Sequence, residues 1–230
     1  MNGDRSVGRF FDACAEKGLM ETFEPSEEPR VARLLRRWGI RRGWRVLEPG
    51  CGSGRLTERL ARTVGPRGAV VAFDLSRSMI RKAAARDLPP PARLLRASAH
   101  FLPLRPASFD AVLCFHAFPH FEDPPRALAE IARVLRPGGS LWIDHLKGRS
   151  AVNRIHREGG PEIRRHRLPT ARAMRNLLRA AGFRLKRLVD RPGEYSLQAV
   201  REGPSFRKSF ASPLPPCRSK VSGRRGERTR

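Results

Sequence analysis

Apolar positions recur along this chain in two different periods, and the change from one to the other sets its organisation. In "SEEPRVARLLRRWG", Val31, Leu34, Leu35 and Trp38 share one helical face. Ser26 with Glu27 and Glu28 marks the start of that helix, since acids suit the positive end of the dipole. The preceding "SVGRFFDACAEKGLM" also reads as helical, so residues 5–38 are expected to be helical, closed by Gly39 and Gly43. From Arg45 onward, short apolar runs of strand length alternate with amphipathic runs. "RVLEP", "AVVAFD", "PPPARLLRA", "FDAVLCF" and "SLWIDH" read as strands. "RLTERLARTV", "SRSMIRKAAARD", "PPRALAEIARVLRPGG" and "TARAMRNLLRAAGF" read as helices, with Ser76 and Thr170 as N-caps. In the third of these, Leu128, Ile131, Val134 and Leu135 form the buried face, and Pro137-Gly138-Gly139 is expected to stop it. "RLKRLVD" and "EYSLQAVRE" close the pattern as two last strands.

Strands alternating with helices predict an α/β fold, a doubly wound, mostly parallel sheet with N-terminal helices. Three segments are expected: a helical lid over residues 1–43, a ligand-binding domain over 44–202, and a basic, disordered tail over 203–230 that is rich in Pro, Ser and Arg. Ligands of such sheets bind at the carboxyl ends of the strands. The first strand runs directly into "EPGCGSG", which makes that turn the expected site.

Composition narrows the class. No apolar run approaches the roughly 20 residues of a membrane helix, and the acidic start "MNGDRSVGRFFDACAEKG" lacks the apolar core of a secretory signal. A soluble cytoplasmic protein is expected. Cys14, Cys51, Cys114 and Cys217 form no CxxC pair, which argues against a zinc site and against a disulfide framework. Formal net charge is +25. It is unevenly spread: residues 1–30 carry four basic and seven acidic groups, whereas Lys147–Arg191 carries fourteen basic and three acidic. Such a segment suits either a solvated arginine-rich surface or a contact with nucleic acid or another anion. The scarcity of aromatics there supplies no stacking platform for single strands.

The glycine turn admits three readings: a phosphate loop, a dinucleotide site, or a site for another adenosine cofactor. A phosphate loop requires Gly-Lys-Ser/Thr, which is absent. A dinucleotide fingerprint counted from Gly50 and Gly52 puts Arg55 where glycine or alanine belongs. A cofactor that joins an ammonium and a sulfonium to adenosine suits the turn better. Gly50, Gly52 and Gly54 admit its close approach, and Glu48 supplies a carboxylate for a cation. Asp74, at the end of the second strand, can accept both ribose hydroxyls.

At these residues the chain resembles the class I S-adenosylmethionine (SAM)-dependent methyltransferases, especially the small-molecule branch of ubiquinone and menaquinone C-methyltransferases. "VLEPGCGSG", "VVAFDLSRSMIRKA", "ASAHFLPLRPASFDAVLCF" and "ALAEIARVLRPGGSLWI" follow the order and spacing of that family's motifs from Arg45 to Leu146. The resemblance implies a seven-stranded Rossmann-like sheet and methyl transfer from SAM to a small-molecule acceptor. It implies a cofactor site made of Glu48, Gly50, Cys51, Gly52, Gly54, Asp74, Leu75, Met79, Ser98, Ala99 and Phe115, with no metal. Two positions depart from the family. Ser98-Ala99 stands where an Asp-Ala pair often recognises the adenine amine, and Phe115 stands where a small polar residue is common. A general base, where the acceptor must lose a proton, is expected among the histidines, with His120 and His145 first because both end strands. His116, His156 and His166 are further candidates. Cys114 is expected in the core, and Cys51 as a small filler of the turn. The alternative is an RNA-directed methyltransferase or RNA-binding protein on the same fold, although "FHAFPHF" after the fourth strand is no base-methylation motif of the Asn-Pro-Pro-Tyr type.

Overall fold

A computed structural model describes residues 2–203 of the chain. Cys217 and the expected basic tail beyond Gly203 lie outside the described residues. Helices α1 (Asn2–Glu16) and α2 (Glu28–Trp38) lead into β1 (Arg45–Pro49), α3 (Arg55–Val64), β2 (Ala69–Asp74), α4 (Arg77–Ala84), β3 (Ala92–Arg96) and β4 (Phe109–Phe115). A 3-10 turn at Phe118–His120 precedes α5 (Pro124–Val134), β5 (Leu135–His145), α6 (Arg149–Glu158), α7 (Ala171–Ala180), β6 (Phe183–Arg191) and β7 (Glu194–Arg201). The seven strands form one sheet in the order β3-β2-β1-β4-β5-β7-β6. β1 through β5 pair in parallel, and β7 runs antiparallel to both β5 and β6. This is the doubly wound, mostly parallel sheet that the strand–helix alternation predicts, with the seven strands that the resemblance implies.

The alternation of side chains along β4 shows why the sheet needs helices on both sides. Val112 and Cys114 join one core with Leu128, Ile131 and Val134 of α5, Val152 of α6, and Met174 and Leu178 of α7. Ala111, Leu113 and Phe115 face the other way, into a core with Val31, Leu34 and Trp38 of α2 and Leu56, Leu60 and Val64 of α3. Three helices start on side chains that accept a backbone N–H: Ser76 from Met79 at 3.0 Å, Asp123 from Arg126 at 3.0 Å and Thr170 from Ala173 at 3.3 Å. Each satisfies one of the donors that a helix start leaves unpaired.

Three elements differ from their sequence reading. α1 ends at Glu16, and the chain turns through Gly18 and Met20, both in left-handed conformation (φ 69° and 61°). α5 stops at Val134 rather than at the Pro-Gly-Gly. Leu135 is already extended, pairs with Phe109 and is fully buried; Pro137-Gly138-Gly139 then forms an irregularity within β5 before Ser140 pairs with Ala111. α6, inside the basic segment, has no counterpart in the sequence reading. Its buried face is short, Val152, Asn153 and His156, and two of the three are polar.

Ile131 is fully buried at the centre of the α5 face. Ile131→Ala is expected to cost about 2–5 kcal/mol in urea denaturation. A cost below about 1 kcal/mol would contradict close packing of α5 on the sheet.

Candidate active site

β1 leaves the sheet at Pro49, and the glycine turn is locked from two sides. Gly50 and Cys51 donate to the carbonyl of Phe73, at 2.7 and 3.0 Å. Gly52 N–H donates to Asp74 Oδ2 at 2.9 Å, and Ser76 N–H donates to Asp74 Oδ1 at 2.9 Å. One carboxylate therefore joins the turn after β1 to the turn after β2. Burial pushes the Asp74 carboxyl upward, against these hydrogen bonds. Gly50 has φ +68°, and a Cβ there would stand 2.6 Å from that of Ala117, so only glycine lets the turn lie against the loop after β4.

Glu48 is 2% exposed and accepts one hydrogen bond, from Thr57 Oγ1 at 2.7 Å. Burial pushes its carboxyl up to about 8, so Glu48 holds a proton at neutral pH until a cation draws it into the ionised form.

The strand ends border a cavity with about 100 Å³ of free volume. Its floor follows the strand order. Ala97, Ser98 and Ala99 lie beyond β3, Asp74 and Leu75 at β2, Glu48, Gly50, Cys51 and Gly52 at β1, and Phe115, His116, Ala117 and His120 at β4. Of the residues expected from sequence, Glu48, Gly50, Cys51, Gly52, Asp74, Leu75, Met79, Ser98, Ala99, Phe115 and His120 all line it. Gly54 and His145 do not. Gly54 starts α3 in left-handed conformation and packs against α4, where an added Cβ would meet that of Ala83 at 3.1 Å.

Arg55, which spoils a dinucleotide fingerprint, fastens the N-terminal segment. It donates to Thr22 O at 2.7 Å and lies 4.3 Å from the centre of the Phe23 ring. Ser53 Oγ donates to Met20 O at 2.7 Å in the same region. α1 adds residues that sequence reading missed. Asp12 Oδ1 accepts from Ser76 Oγ at 2.6 Å and from Ser78 N at 2.8 Å, and Asp4 meets Ser98 and His100. Nothing local distinguishes these acids, because their partners are 64 to 96 positions away.

Five of the six histidines form two groups. His120 Nδ1 lies 3.0 Å from His166 Nδ1, so one of the two rings donates and the other accepts. The ring of His156 stands 4.8 Å from that of His120, and its Nδ1–H donates to the His166 carbonyl at 3.1 Å. His116 lines the cavity in left-handed conformation (φ 57°), and its Nε2 accepts from Leu146 N–H at 3.3 Å. His145 sits behind it, rings 5.0 Å apart, 3% exposed and with Nε2 unpartnered among the described residues. Burial holds His116 down at about 3 and His166 at about 4, and lowers His120 and His145 well below the usual range. All four are neutral at pH 7.

Glu48→Gln keeps an acceptor for Thr57 and removes the titration. An unfolded glutamate titrates near 4.3, so between about pH 4 and 8 the folded protein holds a proton that the unfolded chain has released. The contribution of Glu48 is full below that window and is lost as pH rises through 8. Ligand-free Glu48→Gln is therefore expected to gain stability relative to wild type on going from pH 6 to pH 9 in urea denaturation. An unchanged difference would contradict a protonated, buried Glu48.

Residues 47–143 match the methyltransferase domain family. The ubiquinone/menaquinone biosynthesis C-methyltransferase UbiE of Hahella chejuensis is 33% identical over 146 residues, 60% of this chain and 58% of that protein. A phthiotriol/phenolphthiotriol dimycocerosates methyltransferase of Mycobacterium ulcerans is 41% identical over 108 residues, 46% of this chain and 38% of that protein. The chain thus spans about half the length of the curated relatives it matches. A SAM-dependent methyltransferase from Aquifex aeolicus shares the fold, with a TM-score of 0.65 at 24% identity over 82% of this chain and 97% of that one. Sheet order, glycine turn and matched segment agree: residues 47–143, somewhat less than half of the chain, are similar to the methyltransferase domain, and the sheet has the fold of SAM-dependent methyltransferases.

Proposed function

We propose that this chain transfers the methyl group of SAM to a small-molecule acceptor. The observation that carries the reading is Asp74, whose half-buried carboxylate ends β2 and fixes the glycine turn through Gly52 N–H. A carboxylate has about four acceptor positions. Backbone donors leave some of them for the two ribose hydroxyls. Glu48 is the partner for the ammonium, Leu75 and Met79 flank the adenine, and Phe115 closes the floor toward β4. SAM supplies an electrophilic methyl on its sulfonium.

The chain's own part is to align the acceptor and keep water out. Phe11, Phe115 and Phe121 give the β4 side of the cavity an apolar wall. Neutral His120 also lines it, and in the tautomer that donates Nδ1–H to His166 its Nε2 accepts a proton from an acidic acceptor. α1, held across the site by Asp4 and Asp12, serves as a lid over residues 1–43. The relatives named for ubiquinone/menaquinone and for phthiotriol support a small-molecule acceptor over RNA. No helix among the described residues is long and apolar enough to cross a membrane. Free Cys14, Cys51 and Cys114 suit a reducing cytoplasm.

Calorimetric titration of the wild-type chain with SAM is expected to show one site. Asp74→Ala is expected to lose at least about 10-fold in affinity, the scale of hydrogen bonds to a charged group. With labelled SAM and a fractionated metabolite extract, label is expected in a small-molecule fraction, and His120→Ala is expected to lower that turnover about 100-fold or more. No SAM binding sinks the reading, and label in RNA alone moves the acceptor to the nucleic-acid class.

A further inference from the structure

The floor of the cavity contains an acid that neither the glycine turn nor the strand ends supply. Asp4 belongs to the first turn of α1, and α1 lies over α4 and the loop after β3. A chain of hydrogen bonds orients it. Asp123 N–H donates to His100 Nε2 at 3.1 Å, which leaves the proton of the neutral ring on Nδ1. That Nδ1 lies 3.1 Å from Ser98 Oγ, and Ser98 Oγ–H donates to Asp4 Oδ2 at 2.6 Å. His100 N–H also donates to Ser98 Oγ, at 3.1 Å, so the hydroxyl is held as an acceptor on one side and a donor to Asp4 on the other. Oδ2 is thereby satisfied. Oδ1 is buried and has no hydrogen bond, although His100 Nδ1 is 3.2 Å away and would pair with it as an ion when protonated. An acceptor buried without a donor is unfavourable until a ligand supplies one. Asp4 is one of the residues that line the cavity, as Ser98 is.

Only one group of the cofactor remains for it. The strand order runs β3, β2, β1, β4 across the floor, so a ribose at Asp74 with its ammonium toward Glu48 places the base toward the β3 loop. SAM has three kinds of donor: the ammonium, the ribose hydroxyls and the 6-amino group of adenine. Glu48 and Asp74 answer the first two. We propose that Asp4 Oδ1 accepts the adenine 6-amino group, so that a residue of the N-terminal helix reads the base in place of an acid at position 98. Ser98 is then a positioning residue, which acts by fixing Oδ2. The inference rests on the cofactor reading above, and it makes α1 part of the base pocket as well as its cover.

The test compares two ligands by calorimetry: S-adenosylhomocysteine and its 6-oxo counterpart S-inosylhomocysteine. The second sets a carbonyl oxygen against Asp4. A site built to bond one group rejects an analogue that lacks it, because its own polar atom is left unpaired. Wild type is expected to prefer the adenosyl ligand by about 10-fold or more. Asp4→Ala is expected to weaken the adenosyl ligand by about 10-fold and leave the inosyl ligand unchanged, erasing the preference. Asp4→Asn, whose amide can turn its NH2 toward the 6-oxo group, is expected to narrow the preference from the other side. Asp12→Ala loosens α1 from Ser76 and Ser78 without touching the base and is expected to weaken both ligands by the same factor. Asp4→Ala that keeps the wild-type preference, or that weakens both ligands equally, overturns the role of Asp4 while leaving the cofactor reading intact. A wild-type chain that binds neither ligand overturns both.

Discussion

The site depends on one half-buried carboxylate with two backbone partners. Asp74 receives Gly52 N–H on one oxygen and Ser76 N–H on the other, and so sets the distance between the turns after β1 and β2. An acid in that position resists ionisation because of its burial, and the backbone donors are what make it tolerable there. Around this link the other constraints fall into place. The turn must pass under Ala117, which restricts position 50 to glycine. Ser76 must begin α4 with its hydroxyl turned to Met79 N, which leaves the same hydroxyl to donate to Asp12. The two glycine-rich and serine-rich corners thus become one preorganised edge of the cavity.

The N-terminal helices are attached to this edge by polar contacts more than by apolar packing. Asp4 and Asp12 bind the loops after β3 and β2, Ser53 and Arg55 bind the carbonyls of Met20 and Thr22, and Arg86 donates to the carbonyl of Glu21. α2 differs. It buries Val31, Leu34 and Trp38 against the sheet, and Trp38 Nε1–H donates to buried Asp144 Oδ2 at 2.9 Å. A segment with α2 as its anchor and α1 held by exchangeable hydrogen bonds can open at α1 without unpacking the core, since local opening follows low apolar burial.

Much of the fold was legible because period and punctuation agree. In α7 the helical face, the Thr170 cap and Gly182 after its end all point to the same residues, α3 joins a helical face to a closing Gly65, and β1, β2 and β4 are short apolar runs bounded by turn formers. The misreadings share one cause: a long-range partner overrode a local signal. Leu135 continues the helical period of α5, yet pairing with Phe109 makes it the first residue of a strand. α6 has too few apolar residues to declare a face, and it is held by Asn153, whose side chain exchanges hydrogen bonds with the backbone of Leu168.

For the site, sequence determined the part that the strand ends build. Glu48, Gly50, Gly52 and Asp74 lie at the ends of β1 and β2, and strand ends follow from hydrophobic pattern, so their convergence could be read directly. Histidine positions were equally visible, but not their roles. Only the packing of the loop after β4 against the segment after α6 brings His120 to His166, and the same packing leaves His145 behind His116, away from the cavity. Asp4 is the sharpest case. In the sequence it is one acid among seven in the first thirty residues. It becomes part of the pocket because α1 folds back over β3, and a contact spanning 94 positions has no local signature.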